Sequence, residues 1–222
     1  MRRILRENRG FVAFLLLFGL FRTAVADWNP IPSGSMHPNL LEGDVVFVNR
    51  LAYDLKVPLT DIIVLKLGDP QRGDIVTFSS PKDGTRMIKR LMAVPGDHVE
   101  MRNKLLYING VAAQYQDAVP ERNHDALDAP WPVRHALETA GGHTHPIQWL
   151  GDVVGRDNFQ PVTLGSNQYL MLGDNRDNSA DSRFIGLVPR ERLIGKAVRV
   201  MVSADITGNW MPRLERIGQA LI

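Results

Sequence analysis

Three segments of this 222-residue chain carry side chains that could do chemistry. Pro32-Ser33-Gly34-Ser35-Met36 sets two hydroxyls around a glycine. In an extended segment, residues two apart project to the same side, so Ser33 and Ser35 can address one locus. Gly34 permits a tight turn and the close approach of another chain. A serine hydroxyl becomes a nucleophile only when a base takes its proton; otherwise serines here are plain turn formers. The candidate base is Lys89, in Met87-Ile88-Lys89-Arg90-Leu91. It interrupts an apolar, strand-like run, where burial disfavours a charged amine and lowers its pKa. An edge strand with Lys89 and Arg90 reaching solvent is the competing reading. The third segment, residues 173–183, is dense in hydrogen-bonding groups, among them Asp174, Ser179, Asp181 and Arg183. A calcium loop fits poorly, because Arg176 stands where an oxygen ligand is needed and no glutamate closes the loop. A solvated turn or a loop that orients a catalytic group remains.

Two other patterns are decoys. Ser79-Ser80-Pro81-Lys82 has Ser-x-x-Lys spacing, but Pro81 disfavours the helix that would bring serine and lysine together, and no Lys-Thr-Gly follows. His143-Thr144-His145, with His124 and His135, suggests a metal site. Beside Gly141-Gly142 these histidines read instead as loop polars.

Strands must position these groups. Val45-Val46-Phe47-Val48 is β-branched and apolar between turn residues. Residues 62–67, 74–78, 87–94, 168–172 and 196–202 read the same way, and residues 105–108 run into Asn109-Gly110, a hairpin pair. The fold class expected is mainly β: an antiparallel-sheet catalytic domain (29–97 and 166–222), interrupted by an inserted β- and loop-rich subdomain (98–165). Trp210, Leu214, Ile217 and Leu221 share one helical face, predicting a short C-terminal helix packed on the body rather than resting on lipid.

The formal charge is 26 − 24 = +2, without the clustered basic face of a nucleic-acid binder, so no nucleic-acid partner is expected. The absence of cysteine excludes disulfides, thiol catalysis and thiolate metal sites. The basic cluster that does occur, Arg2, Arg3, Arg6 and Arg9, precedes an apolar run over 11–21. That order predicts a cytoplasmic N-terminus (1–9) and an exported remainder. With a buried core helix as a third, two readings compete over the run. It is short enough for a signal peptide, with a cleavage-like Ala24-Val25-Ala26. Residues 10–28 also suffice for a membrane-spanning anchor if Arg22 snorkels outward and Trp28 sits at the interface.

Taken together, the motifs resemble the bacterial type I signal peptidases, which use a serine–lysine dyad. The resemblance rests on Pro32-Ser33-Gly34-Ser35-Met36, Arg72-Gly73-Asp74-Ile75-Val76, Ile88-Lys89-Arg90 followed by Pro95-Gly96-Asp97, and residues 173–183. It implies Ser35 as nucleophile and Lys89 as general base. It implies that the Ser33 hydroxyl and the Ser35 N–H form the oxyanion hole. Ser179 resembles the serine that orients the lysine amine, and Asp181 with Arg183, and Asp174 with Arg90, resemble bracing ion pairs. His37, Asn39, Met87 and Ala93 depart from the common family pattern. The resemblance further implies an uncleaved, single-pass anchor in the bacterial inner membrane, with the catalytic domain on the periplasmic side. The implied partners are the lipid bilayer and the signal peptides of exported preproteins; no metal or cofactor is implied. A conjugative pilin-processing peptidase, a self-cleaving repressor-type peptidase and an inactive membrane-tethered binding module are the alternatives.

Overall fold

The computed structural model describes residues 8–118, 132–153 and 155–221. Arg2, Arg3, Arg6 and His124 lie outside the described residues. The chain opens with helix α1 (Arg9–Ala24) and continues through β1 (Ala26–Pro30), β2 (Asp44–Asn49), β3 (Asp54–Lys56), β4 (Ile63–Lys66), β5 (Ile75–Ser79) and β6 (Arg86–Ala93). Then come β7 (His98–Arg102), β8 (Leu105–Ile108), β9 (Val111–Ala112), β10 (Gln114–Asp117), β11 (Val133–Ala140), β12 (His143–Leu150) and β13 (Phe159–Thr163). The last elements are β14 (Gln168–Leu172), the short helix α2 (Ser182–Ile185), β15 (Val188–Pro189) and β16 (Leu193–Ser203).

A seven-stranded sheet in the order β1-β2-β16-β5-β6-β14-β15 forms the body, and its paired strands run antiparallel. β2 keeps a clean alternation that turns Asp44, Val46 and Val48 inward. At the centre, β5 and β6 are covered on both faces, so alternation gives way to continuous burial. Lys89 and Arg90 therefore lie in a covered strand and not on an edge. One apolar cluster (Ile31, Met36, Leu40, Val46, Val48, Ile75, Ala197, Val200) lies behind the Ser33–Ser35 segment. Another (Phe78, Leu91, Met171, Leu193 with Tyr53) fills the opposite part of the sheet.

The expected strands form with boundaries shifted by up to three residues. Asn109 (φ 54°) and Gly110 (φ 78°) make the β8–β9 turn in the left-handed region, as Asn-Gly pairs do. Residues 98–165 hold more strand than their weak periodicity suggested. They build a sheet β13-β7-β8-β9 and a sheet β10-β11-β12, so His143 and His145 belong to a strand. The periodic signal is diluted because these strands are half exposed and rich in polar residues.

Both ends of the chain depart from expectation. The N-terminal helix stops at Ala24, and Trp28 lies in β1, paired with Phe47 of β2. Among the described residues no helix is long and apolar enough to cross a membrane. The helix ends where Asp27 gathers Arg22, Arg50 and Arg86 at 3.0–3.5 Å, drawing the chain into the sheet. The expected C-terminal helix is a single turn at Leu214–Arg216. Arg216 turns inward to Asp44 and Asn39, and the segment bridges back to Arg199 of β16 and to Ala204 just after it. Trp210 and Leu214 are left exposed instead of packed, while Leu221 packs against the core.

Candidate active site

Ser33 is extended, and residues Gly34–Met36 form a single tight turn rather than the uniformly extended segment the spacing suggested. Met36 and Leu40 anchor that turn in the core. The two hydroxyls still converge, with Ser33 Oγ 3.5 Å from Ser35 Oγ. Lys89 reaches the same point from β6. Its Nζ lies 2.7 Å from Ser35 Oγ and donates to the Ile88 carbonyl at 2.8 Å.

Lys89 is 3% exposed. Burial pushes its pKa from 10.5 down to about 8, against the opposing pull of the Asp181 and Asp174 carboxylates. A neutral amine is thus accessible near physiological pH beside a hydroxyl, the arrangement of an activated nucleophile. Arg90 and Arg183 do not stand as lone cations beside this amine. Instead each is matched by a carboxylate. Arg90 holds Asp174 through two contacts of 3.0 Å, and Arg183 holds Asp181 at 2.7–2.8 Å.

Residues 173–183 are structured and not a solvated turn. Asn175 clamps the nucleophile turn, its N–H donating to the Ser35 carbonyl at 3.2 Å and its side-chain amide to the Gly34 carbonyl at 3.0 Å. Asp181 caps α2 and accepts the Gly173 N–H at 3.0 Å. A methyl added at Gly173 would fall 2.2 Å from Ser179 Oγ and 2.6 Å from the Ser35 carbonyl, so only glycine fits. Ser179 lies beside this contact, buried. Its hydroxyl makes no hydrogen bond here, and the expected bond to the Lys89 amine is not formed.

The same loop is fastened to β11 and β12. Arg176 forms a two-pronged ion pair with Glu138, both buried. The Arg176 N–H donates to the Gln148 carbonyl, and the Gln148 N–H to the Asp174 carbonyl, each at 2.9 Å. Asn39, four residues past Ser35, donates to the Pro146 carbonyl at 2.8 Å and to Asp174 at 2.6 Å. Among the described residues no set of three histidine or carboxylate side chains is arranged to hold a metal ion.

Comparison with known proteins assigns the chain to a family. The family described as "Signal peptidase, peptidase S26" matches residues 5–202. The chain belongs to that family. A relative named Signal peptidase I from Pseudomonas aeruginosa is 33% identical, over 97% of this chain and 78% of that protein. Its namesake from Buchnera aphidicola subsp. Schizaphis graminum is 31% identical, over 94% and 78% respectively. A crystal structure of a signal peptidase I from Enterococcus faecalis shares 30% identity over 58% of this chain and 96% of that one, at a TM-score of 0.34, too loose to bear on the fold.

Membership makes this chain a serine endopeptidase. Within the peptidase, sequence reasoning located Ser33, Ser35, Lys89 and the two bracing ion pairs. It missed Asn175, Asn39, Glu138 and His145. Asn175 was visible only as one more polar residue in a polar loop, and Asn39 only as a departure from the family pattern. Glu138 carries no local signal and His145 was set aside as a loop polar, since both face the loop only through the pairing of β11 with β12.

Proposed function

We propose that Ser35 and Lys89 are the catalytic dyad of a membrane-seated serine endopeptidase that removes signal peptides from exported preproteins. The observation that carries this reading is the 2.7 Å contact between a buried lysine amine and a serine hydroxyl held in a clamped turn. Neutral Lys89 takes the Ser35 proton as Oγ bonds to the scissile carbonyl carbon. Charge on the carbonyl oxygen is met by the Ser35 N–H and the Ser33 hydroxyl, donors typically worth about 10²–10³ in rate each. Collapse breaks the C–N bond, and the Lys89 ammonium returns the proton to the leaving amine. A water then gives a proton to Lys89 as it attacks the ester carbon; collapse breaks the C–Oγ bond, and the Lys89 ammonium returns the proton to Ser35 Oγ. Ser179 we assign to support of the amine, on its burial at the Gly173–Ser35 contact.

The membrane seat rests on α1, whose Phe11, Phe14, Leu17, Leu20 and Phe21 are exposed. Arg22 folds out of that apolar face onto the Trp28 ring at 4.3 Å. A second exposed apolar group, Trp210, Met211 and Leu214, borders the nucleophile side of the body, since Arg213 and Arg216 donate to the Glu42 and Asn39 carbonyls. We place residues 29–97 and 166–222 as the catalytic part, on the periplasmic side. Cleavage of a purified preprotein tests the reading. Ser35→Ala and Lys89→Ala should each abolish it, and the double variant should be no worse, because the two act as one unit. Cleavage surviving in Ser35→Ala would refute the assignment.

A further inference from the structure

His145 lies outside the machinery described so far. It is 2% exposed, on β12 directly opposite Glu138 of β11. Its Nε2 stands 3.2 Å from Glu138 Oε2 and 3.9 Å from Asp174 Oδ1. Each of those carboxylates already holds an arginine, Arg176 and Arg90 respectively. The result is a buried row of ionisable groups, Arg90–Asp174–His145–Glu138–Arg176, in which the imidazole sits between the two ion pairs without a hydrogen bond of its own. It begins beside Lys89 in the sequence and ends in the loop whose Asn175 clamps Ser35.

We propose that His145 is a positioning residue for the dyad, a neutral wedge that keeps the Asp174–Arg90 and Glu138–Arg176 pairs in register and thereby seats the loop against Ser35. The inference rests on the dyad assigned above. The charges facing the ring are Glu138 from β11, Asp174 and Arg176 from the loop, and Arg90 from β6. Two carboxylates and two guanidiniums cancel, so a neutral imidazole leaves the buried cluster balanced, whereas an imidazolium adds an uncompensated buried charge. Burial accordingly lowers the His145 pKa from 6.5. A protonated His145 would also compete with Arg176 for Glu138 and with Arg90 for Asp174. Either exchange loosens the loop, and a shift of about 1 Å at a reacting group can cost ~10²-fold in rate.

Acidification should therefore remove activity in two steps. The first is protonation of Lys89; the second, at lower pH, is protonation of His145. The logarithm of kcat/KM should fall with a slope of about 1 and then about 2. The test is the pH profile of preprotein cleavage by the full-length protein in detergent, for wild type, His145→Gln and His37→Gln. His37 is the control because it contacts Glu42 at 2.5 Å beside the nucleophile turn and could itself supply an acid step. His145→Gln should lose about 10-fold at pH 8 and follow a single slope, while His37→Gln keeps the second break. A second break that persists in His145→Gln, or disappears in His37→Gln, overturns the inference. Should His145→Gln fail to fold, NMR of ring-labelled histidine in the wild type decides. One histidine must titrate below the ordinary value, at the pH of the second kinetic break; the absence of any such histidine overturns the proposal. Loss of the dyad reading would show differently, as cleavage that survives Ser35→Ala.

Discussion

The Lys89 amine has two protein partners, the Ser35 hydroxyl and the Ile88 carbonyl, and neither carries a charge. Its folded pKa of about 8 against 10.5 in the unfolded chain is a stability statement as well as a kinetic one. The unfolded chain binds the proton more tightly. The penalty is therefore full below pH 8, fades as pH rises, and is gone above 10.5. Its size is about 3 kcal/mol at neutral pH, taking ~1.4 kcal/mol per unit. Lys89→Met should thus be inactive yet more stable than wild type at pH 7, with the gap closing towards pH 10.5. Denaturant melts at several pH values measure this, and a gap independent of pH would mean that Lys89 is an ordinary charged lysine. The acid limb of kcat/KM should break near pH 8; a rate still climbing to pH 10 would contradict the assigned base. Ser33→Ala should cut kcat by about 10²-fold with KM little changed, because its hydroxyl is needed only once charge develops on the substrate oxygen.

The elements around the dyad work through the loop after β14. It touches the nucleophile turn through Asn175, β6 through Asp174, and β11 through Arg176. Its tightest point is Gly173, where a methyl would meet the backbone carbonyl of Ser35 itself. Gly173→Ala should therefore cost ~10²-fold or more in kcat by displacing the nucleophile turn. Circular dichroism should show the sheet intact, and near-normal turnover would show that the contact yields without consequence. These elements were unequally legible in the sequence. β2, β5, β6, β14 and β16 announce themselves because runs of β-branched and apolar residues sit between turn signals. The Asn109-Gly110 hairpin is written in two residues whose backbone must turn left-handed. Lys89 was legible because a charge in a covered strand is costly. Glu138 and His145 were not, since their meaning depends on cross-strand pairing and on a loop distant in sequence. The C-terminal face Trp210, Leu214, Ile217 and Leu221 carried true helical spacing, yet Arg216 is drawn in to the buried Asp44 and Arg213 is held by Asp205 in the loop after β16, and only one turn forms.

For the molecule as a whole, the proposed membrane seat depends on how the N-terminal helix is joined to the β body. Ser35 follows Arg22 by only 13 residues, and those residues form β1 and the nucleophile turn, with no slack linker between. The end of α1 is fixed by Arg22, held by Asp27 and stacked on Trp28, whose ring also packs near Phe18 at 6.0 Å. Charged and aromatic groups of this kind settle at a membrane interface. If α1 lies in the bilayer, the interface is set at Arg22 and Trp28, and the dyad is held close to it. The exposed Trp210, Met211 and Leu214 can then meet the same surface, since their segment packs on residues 39–44 next to the turn. Two consequences can be measured. Intact-mass analysis of protein extracted from membranes should show the N-terminal arginines retained; a species beginning at Asp27 would make the segment a cleaved signal peptide. Trp210→Ser with Leu214→Ser should leave cleavage of a short soluble peptide within about 2-fold, because neither residue touches the dyad. The same variant should lose about 10²-fold or more on a preprotein presented in phospholipid vesicles, where about 1.5–3 kcal/mol is forfeited for each of the two apolar side chains. Equal losses on both substrates would place these residues in the catalytic body, and no loss on either would leave α1 alone to seat the peptidase.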